Sequence, residues 1–168
     1  NKCIQGFPGV SFVLFRKMDL ERLNKIPERT LYFNLTGYHK AQEQGGMLFT
    51  PAIPAHYALD VALDELIEET VAGRVQRYAS AAKFLRNGFK ELGLEFLIPE
   101  GWRSNCLTGL YLPKEMSYEK LHGELKANGF VIYAGQGNLN DNIFRIANMG
   151  DITQEEFERF LQVMKTVC

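Results

Sequence analysis

Two hydrophobic periods alternate along the chain. Val10-Ser11-Phe12-Val13-Leu14-Phe15 is a β-branched and aromatic run between Pro8-Gly9 and Arg16-Lys17, and it predicts a buried strand. Asp19 stands where it can cap a short helix that ends before Pro27. Residues 28–53 keep no period: Tyr32, Phe33 and Tyr38 precede Gly45-Gly46, Thr50-Pro51 and Pro54, so an irregular stretch is expected. A loop of that length inside a compact domain is usually functional or interfacial. From Ala55 to Leu92 the period becomes helical. Leu59, Ala62, Leu63, Leu66 and Ile67 share one face, and Asp60, Asp64, Glu65, Glu68 and Glu69 occupy the others. Gly73 is the expected break. A second helix then carries Val75, Tyr78, Ala82, Leu85 and Phe89 and ends near Leu92-Gly93.

Downstream, strand and helix alternate. Strands are predicted at Leu94–Ile98, Cys106–Leu112, Val131–Tyr133 and Ile143–Ala147, with helices over Ser117–Asn128 and Thr153–Val167. Thr153-Gln-Glu-Glu156 has the form of a capping box at the start of the last helix. The ββαββα order, with helices on one side, fits a small α+β layer, and the segment before about residue 73 is expected to form a different structural unit.

Composition acts mainly by exclusion. With 19 Lys+Arg against 20 Asp+Glu in 168 residues, the net charge of −1 gives no attraction to nucleic acid or anionic membrane. No apolar run approaches the ~18 residues that a membrane span needs. Cys3, Cys106 and Cys168 form no C-x-x-C pair and read as free thiols of a reducing compartment. His39, His56 and His122 are too scattered to specify a metal site, and Asn34-Leu35-Thr36 is discounted as a sequon because no signal peptide precedes it. The acidic helix face from Asp60 to Glu69 reads as solvated. Gly135-Gln136-Gly137 lacks the third glycine of a dinucleotide fingerprint, since Asn140 stands there. The first residue is Asn rather than Met, which leads us to expect a piece of a longer chain.

Three segments carry candidate chemistry. Lys2, in Asn1-Lys2-Cys3-Ile4-Gln5-Gly6-Phe7-Pro8-Gly9, is either a surface lysine or a Schiff-base lysine, made nucleophilic by desolvation against the strand that follows. Arg145, in Phe144-Arg145-Ile146-Ala147-Asn148-Met149-Gly150, either faces solvent or presents a planar fork to a carboxylate or phosphonate. Thr50, in Phe49-Thr50-Pro51, either caps the following helix or helps to hold a phosphate at its start.

The lysine segment closely resembles that of the 2-aminoethylphosphonate–pyruvate aminotransferases, a branch of the class V (fold type I) pyridoxal-phosphate aminotransferases. Thr50-Pro51 before a long helix, and Phe144-Arg145-Ile146 before Met149-Gly150, recur in that family in the same order, so the resemblance covers essentially the whole chain. Phe7 and Val10 depart from the commonest lysine segment.

The resemblance implies an α/β protein, the C-terminal part of a PLP-dependent transferase fold. Residues 1–72 would be the tail of the large cofactor-binding domain. Residues 73–168 would be a small α+β domain with a mainly antiparallel sheet and helices on one face. It further implies that Lys2 is catalytic and binds pyridoxal 5'-phosphate, that Thr50 touches the cofactor phosphate of a neighbouring subunit, and that Arg145 binds the acidic end of the substrate. The implied enzyme is a cytoplasmic homodimer that moves an amino group from 2-aminoethylphosphonate to pyruvate. Its partners are small molecules, with no nucleic acid and no membrane. In this family the partner of the pyridinium nitrogen precedes the lysine, so these 168 residues by themselves are expected to be inactive. An alanine- or serine–glyoxylate aminotransferase and a non-catalytic interaction module remain the alternatives.

Overall fold

The computed structural model describes residues 1–168 and divides into two compact units, Asn1–Gln5 with Asp64–Cys168, and Gly6–Leu63. The second unit contains α1 (Asp19–Leu23), α2 (Leu35–Glu43) and the first half of α3 (Ile53–Glu69). Helix α2 lies inside the stretch expected to be irregular. Asn34 starts it: its side-chain oxygen accepts from Gly37 N–H and from the Thr36 hydroxyl, so the triplet that resembles a sequon works as a helix cap.

Val10–Phe15 does not form the expected strand. It makes no backbone pairing, and Leu14 is 87% exposed. A strand needs a neighbour for its N–H and C=O groups, and this unit contains no second strand to supply one. Much of the unit's apolar surface is open. Tyr32, Tyr38 and Phe49 stack with centroids 5.3–6.4 Å apart, yet Tyr32 and Phe33 are exposed.

The first unit contains the core. Helix α3 is followed by α4 (Val71–Glu91), and the break falls at Thr70 rather than at Gly73. Thr70 takes φ 69° and ψ 151°, and its hydroxyl accepts from Gly73 N–H, so Gly73 belongs to the first turn of α4. Three strands follow with α5 (Tyr118–Ala127) between the first two: β1 (Leu107–Tyr111), β2 (Tyr133–Ala134) and β3 (Ile143–Ala147). All pairings are antiparallel and the order is β1-β3-β2. The predicted Leu94–Ile98 strand is reduced to a single bridge, Phe96 to Leu110, because α4 ends only at Glu91 and Pro99 closes the stretch. The predicted Val131–Tyr133 strand pairs only from Tyr133. Helix α6 (Gln154–Val167) begins with the expected capping box: Glu156 N–H donates to the Thr153 hydroxyl and Thr153 N–H to the Glu156 carboxylate.

Alternation on the sheet sets which face is buried. Leu110, Phe144 and Ile146 point to the helical side, where they pack with Leu85 and Phe89 of α4, Leu121 and Leu125 of α5, and Phe157, Phe160 and Met164 of α6. Arg145, with Gly109 and Tyr133 on either side of it in register, belongs to the opposite face. No helix is long and apolar enough to cross a membrane.

Phe144 is fully buried, so Phe144→Ala removes a ring from the middle of this core and lowers stability by about 3–5 kcal/mol. Phe33→Ala, at a residue 82% exposed, changes it by no more than about 0.5 kcal/mol. Urea denaturation of the two variants, followed by circular dichroism, measures both.

Candidate functional site

Lys2 opens a single 3₁₀ turn, Lys2–Ile4, that ends on Gln5. Lys2 and Gln5 both sit in the left-handed region, at φ 60° and φ 64°. Each non-glycine residue held there costs of order 1–3 kcal/mol, so the turn keeps this shape only if other groups hold it. The Lys2 side chain is exposed and makes no hydrogen bond or ion pair. The desolvation expected from a following buried strand is not supplied, because that strand does not form.

The turn is held from α4. Arg74, only 4% exposed, donates through Nη1 to the Cys3 carbonyl at 2.9 Å and through Nε to the Glu69 carboxylate. Tyr78, one turn further on, accepts at its hydroxyl from the Gln5 side chain at 2.8 Å. The same hydroxyl accepts from Gly150 N–H at 3.3 Å, and Arg77 donates to the Gly150 carbonyl at 2.8 Å. Gly150 follows the Arg145 strand and has φ 121°, a value that favours glycine. Beside it, the buried Asn148 side chain donates to Tyr78 O at 3.3 Å and Asn105 O at 2.9 Å. The Cys3 and Cys106 thiols are 3.4 Å apart, and both are free. Burial, with the neighbouring Cys3 thiol adding to it, pushes the Cys106 thiol up.

Arg145 lies on the open face of the sheet, half-buried. Its Nε donates to the Ala134 carbonyl at 2.7 Å, and its two terminal nitrogens have no protein partner. Gly109 beside it leaves room for a cleft of about 240 Å³, which Leu107, Ile143, Trp102 and Arg103 also line; no carboxylate does. The Ala134 carbonyl is kept in place by the turn after it. A Cβ on Gly135 would overlap the Leu139 carbonyl, so only glycine lets residues 135–139 fold back this closely. That is the role of the Gly135-Gln136-Gly137 motif here.

Thr50 belongs to the other unit. It precedes α3, and its hydroxyl makes no hydrogen bond, so it does not cap that helix. Of the three sequence candidates, then, Lys2 and Arg145 fall in one unit and Thr50 in the other. His56 bonds Ala52 O through Nδ1, His122 stacks on Tyr118 and His39 meets Phe15 edge-on, so each histidine has a local packing role.

Sequence reading missed Arg74, Arg77 and Glu69. The available signal was Arg74 on the same helical stripe as Tyr78 and Leu85, the stripe that faces the protein interior.

No family model matches the chain. Among solved structures, an aspartate aminotransferase of subgroup IV from Thermus thermophilus superposes with TM-score 0.76 at 27% identity, over 87% of this chain and 42% of that one. A ureidoglycine–glyoxylate aminotransferase from Bacillus subtilis superposes with TM-score 0.80 over 89% of this chain and 40% of that one, at 24% identity. The fold is therefore that of the pyridoxal-phosphate-dependent aminotransferases. Among curated proteins, 2-aminoethylphosphonate–pyruvate transaminases from Phocaeicola vulgatus and Lysinibacillus sphaericus are 35% and 38% identical over 100% and 98% of this chain. The similarity runs along essentially the whole of this chain, which spans about half the length of these relatives, 47% and 45%.

Glu69 receives Arg77 at both carboxylate oxygens and Arg74 at one. The Arg77 hydrogen bonds, and then the one from Arg74, hold its carboxyl down at about 2. A carboxyl lowered in the folded state stabilises fully above its unfolded value, about 4.3, and loses that contribution as pH falls. The stability gap between wild type and Glu69→Gln is expected to be constant above roughly pH 5. It should shrink below that and close near the folded value of about 2. Urea titrations at stepped pH measure the gap.

Proposed function

We propose that this chain is the lysine-bearing part of a 2-aminoethylphosphonate–pyruvate aminotransferase. Residues 1–72 would close the large domain and residues 73–168 form the small one. The observation that carries the reading is the Arg145 fork: Nε is spent on a backbone carbonyl, which fixes the plane, and both terminal nitrogens remain for an acidic ligand. The unpartnered amine of Lys2, the unpartnered hydroxyl of Thr50 and this guanidinium form a donor set that matches an aldehyde, a phosphate and a substrate anion. The residues thus fit pyridoxal phosphate and an acidic amine together.

Pyridoxal phosphate, when bound, supplies the electron sink for the amino-group transfer. The protein's part is positioning and proton movement. Lys2 Nζ would be the covalent attachment point and, as a free amine, would carry the proton to and from the substrate carbon. Arg145 grips the phosphonate of the donor in one half-reaction and the carboxylate of pyruvate or alanine in the other. Thr50 would touch the cofactor phosphate across a homodimer interface. The exposed aromatic patch around Tyr32 and Phe33 supports burial of that unit against further protein. A cytoplasmic enzyme agrees with three free cysteines.

Borohydride reduction of the assembled holoenzyme, followed by peptide mapping, tests the reading. The expected result is a phosphopyridoxyl group on Lys2 and none in Lys2→Ala. Labelling of another lysine, or of none, would overturn it and favour an interaction module. Arg145→Ala should cost about 1.5–3 kcal/mol in transition-state binding with 2-aminoethylphosphonate, read from kcat/KM. Preference for alanine or serine as amino donor would favour the glyoxylate-type alternative.

A further inference from the structure

A helix surface offers Arg74 an easy route to water, yet the side chain is buried at 4% exposure. The Thr70 kink makes that burial possible. By turning the chain between α3 and α4, it brings the Glu69 carboxylate back over the first turns of α4, where Arg74 and Arg77 both reach it. With its charge paired there, Arg74 has Nη1 left for the Cys3 carbonyl, in the turn that begins with Lys2. Arg77 reaches in the other direction, to the Gly150 carbonyl beyond Arg145. Tyr78 joins the two, since its single hydroxyl accepts from both Gln5 and Gly150. Arg74, Arg77 and Tyr78, the two arginines paired by Glu69, therefore contact the lysine segment and the segment after the arginine strand, through main-chain atoms and one glutamine side chain.

We propose that Arg74 and Tyr78 are positioning residues, which fix the Lys2 turn against the segment that carries Arg145. This inference rests on the aminotransferase reading for its meaning, because only there must an amine and an anion-binding guanidinium keep a set spacing. The two strained residues of the turn, Lys2 and Gln5, are each adjacent to or part of an anchored group: Cys3 O follows Lys2, and Gln5 is itself the Tyr78 partner. Loss of either anchor releases the turn, and neither bond joins two residues of the main apolar cluster.

The Cys3–Cys106 pair provides a reporter that needs no cofactor. With glutathione disulfide as oxidant, one thiolate takes up a glutathionyl group and releases one glutathione. The second thiolate then displaces the other glutathione, leaving a protein disulfide and two reduced glutathione molecules. The rate of the second step depends on how well the turn keeps Cys3 beside Cys106. Peptide mapping of this chain over time should find Cys3–Cys106 closure slowed about tenfold in Arg74→Gln and in Gln5→Met, with melting cooperativity retained. Arg159→Gln removes a comparable arginine-to-carbonyl bond, to Asn128 O in the same unit, and should leave closure at the wild-type rate.

Wild-type closure in either anchor variant would overturn the inference, and so would equal slowing in Arg159→Gln. Should Arg74→Gln fail to fold, Gln5→Met decides alone, because it alters a half-buried side chain outside the core. Borohydride labelling at Lys2 can fail while closure behaves as expected, and the reverse, so the two proposals stand or fall separately.

Discussion

The burial of the Arg74 guanidinium is the constraint around which the candidate site is arranged. A cation removed from water must find a counter-charge and fill its remaining donors, or the fold bears the full desolvation cost. The counter-charge is Glu69, reached because the chain turns at Thr70, and one remaining donor is filled by the Cys3 carbonyl. Satisfying one buried charge thereby fastens the first five residues to a helix more than sixty positions away. The same helix fastens Gly150 through Arg77 and Tyr78.

The sheet divides its labour by face. Phe144 and Ile146 enter the core with three helices behind them, so β3 is held rigidly from one side. Arg145, between them in sequence, projects to the other side, next to a glycine on β1 and braced by the Ala134 carbonyl of β2. Alternation along a strand is enough to place a charged fork on the outside of a packed layer. The Gly135 turn then keeps the bracing carbonyl where the guanidinium needs it.

Where local chemistry decides, the sequence was readable. Thr153 and Glu156 encode the start of α6 in four residues, and Ile143–Ala147 is the strand that its apolar pattern predicts. Lys2, Thr50 and Arg145 stood out for what surrounds them in the sequence. What was not readable depends on partners remote in sequence. Val10–Phe15 has the composition of a strand but no strand beside it. The Asn34 cap was hidden inside a triplet that reads as a sequon, and with it α2. The Arg74–Glu69 clamp needed the Thr70 kink, which the glycine three residues later drew attention away from. Arginines on helices commonly face water, so the one mark of burial was the place of Arg74 on the stripe of Tyr78 and Leu85.

Crystals of the assembled enzyme with pyridoxal phosphate and 2-aminoethylphosphonate would test the central claim most directly, that this unit brings an amine and a guanidinium to one substrate. The account predicts Lys2 Nζ within reach of the cofactor's reactive carbon and the phosphonate seated on both terminal nitrogens of Arg145. A phosphonate bound elsewhere, with Arg145 turned to bulk solvent and Lys2 remote from the cofactor, would contradict it.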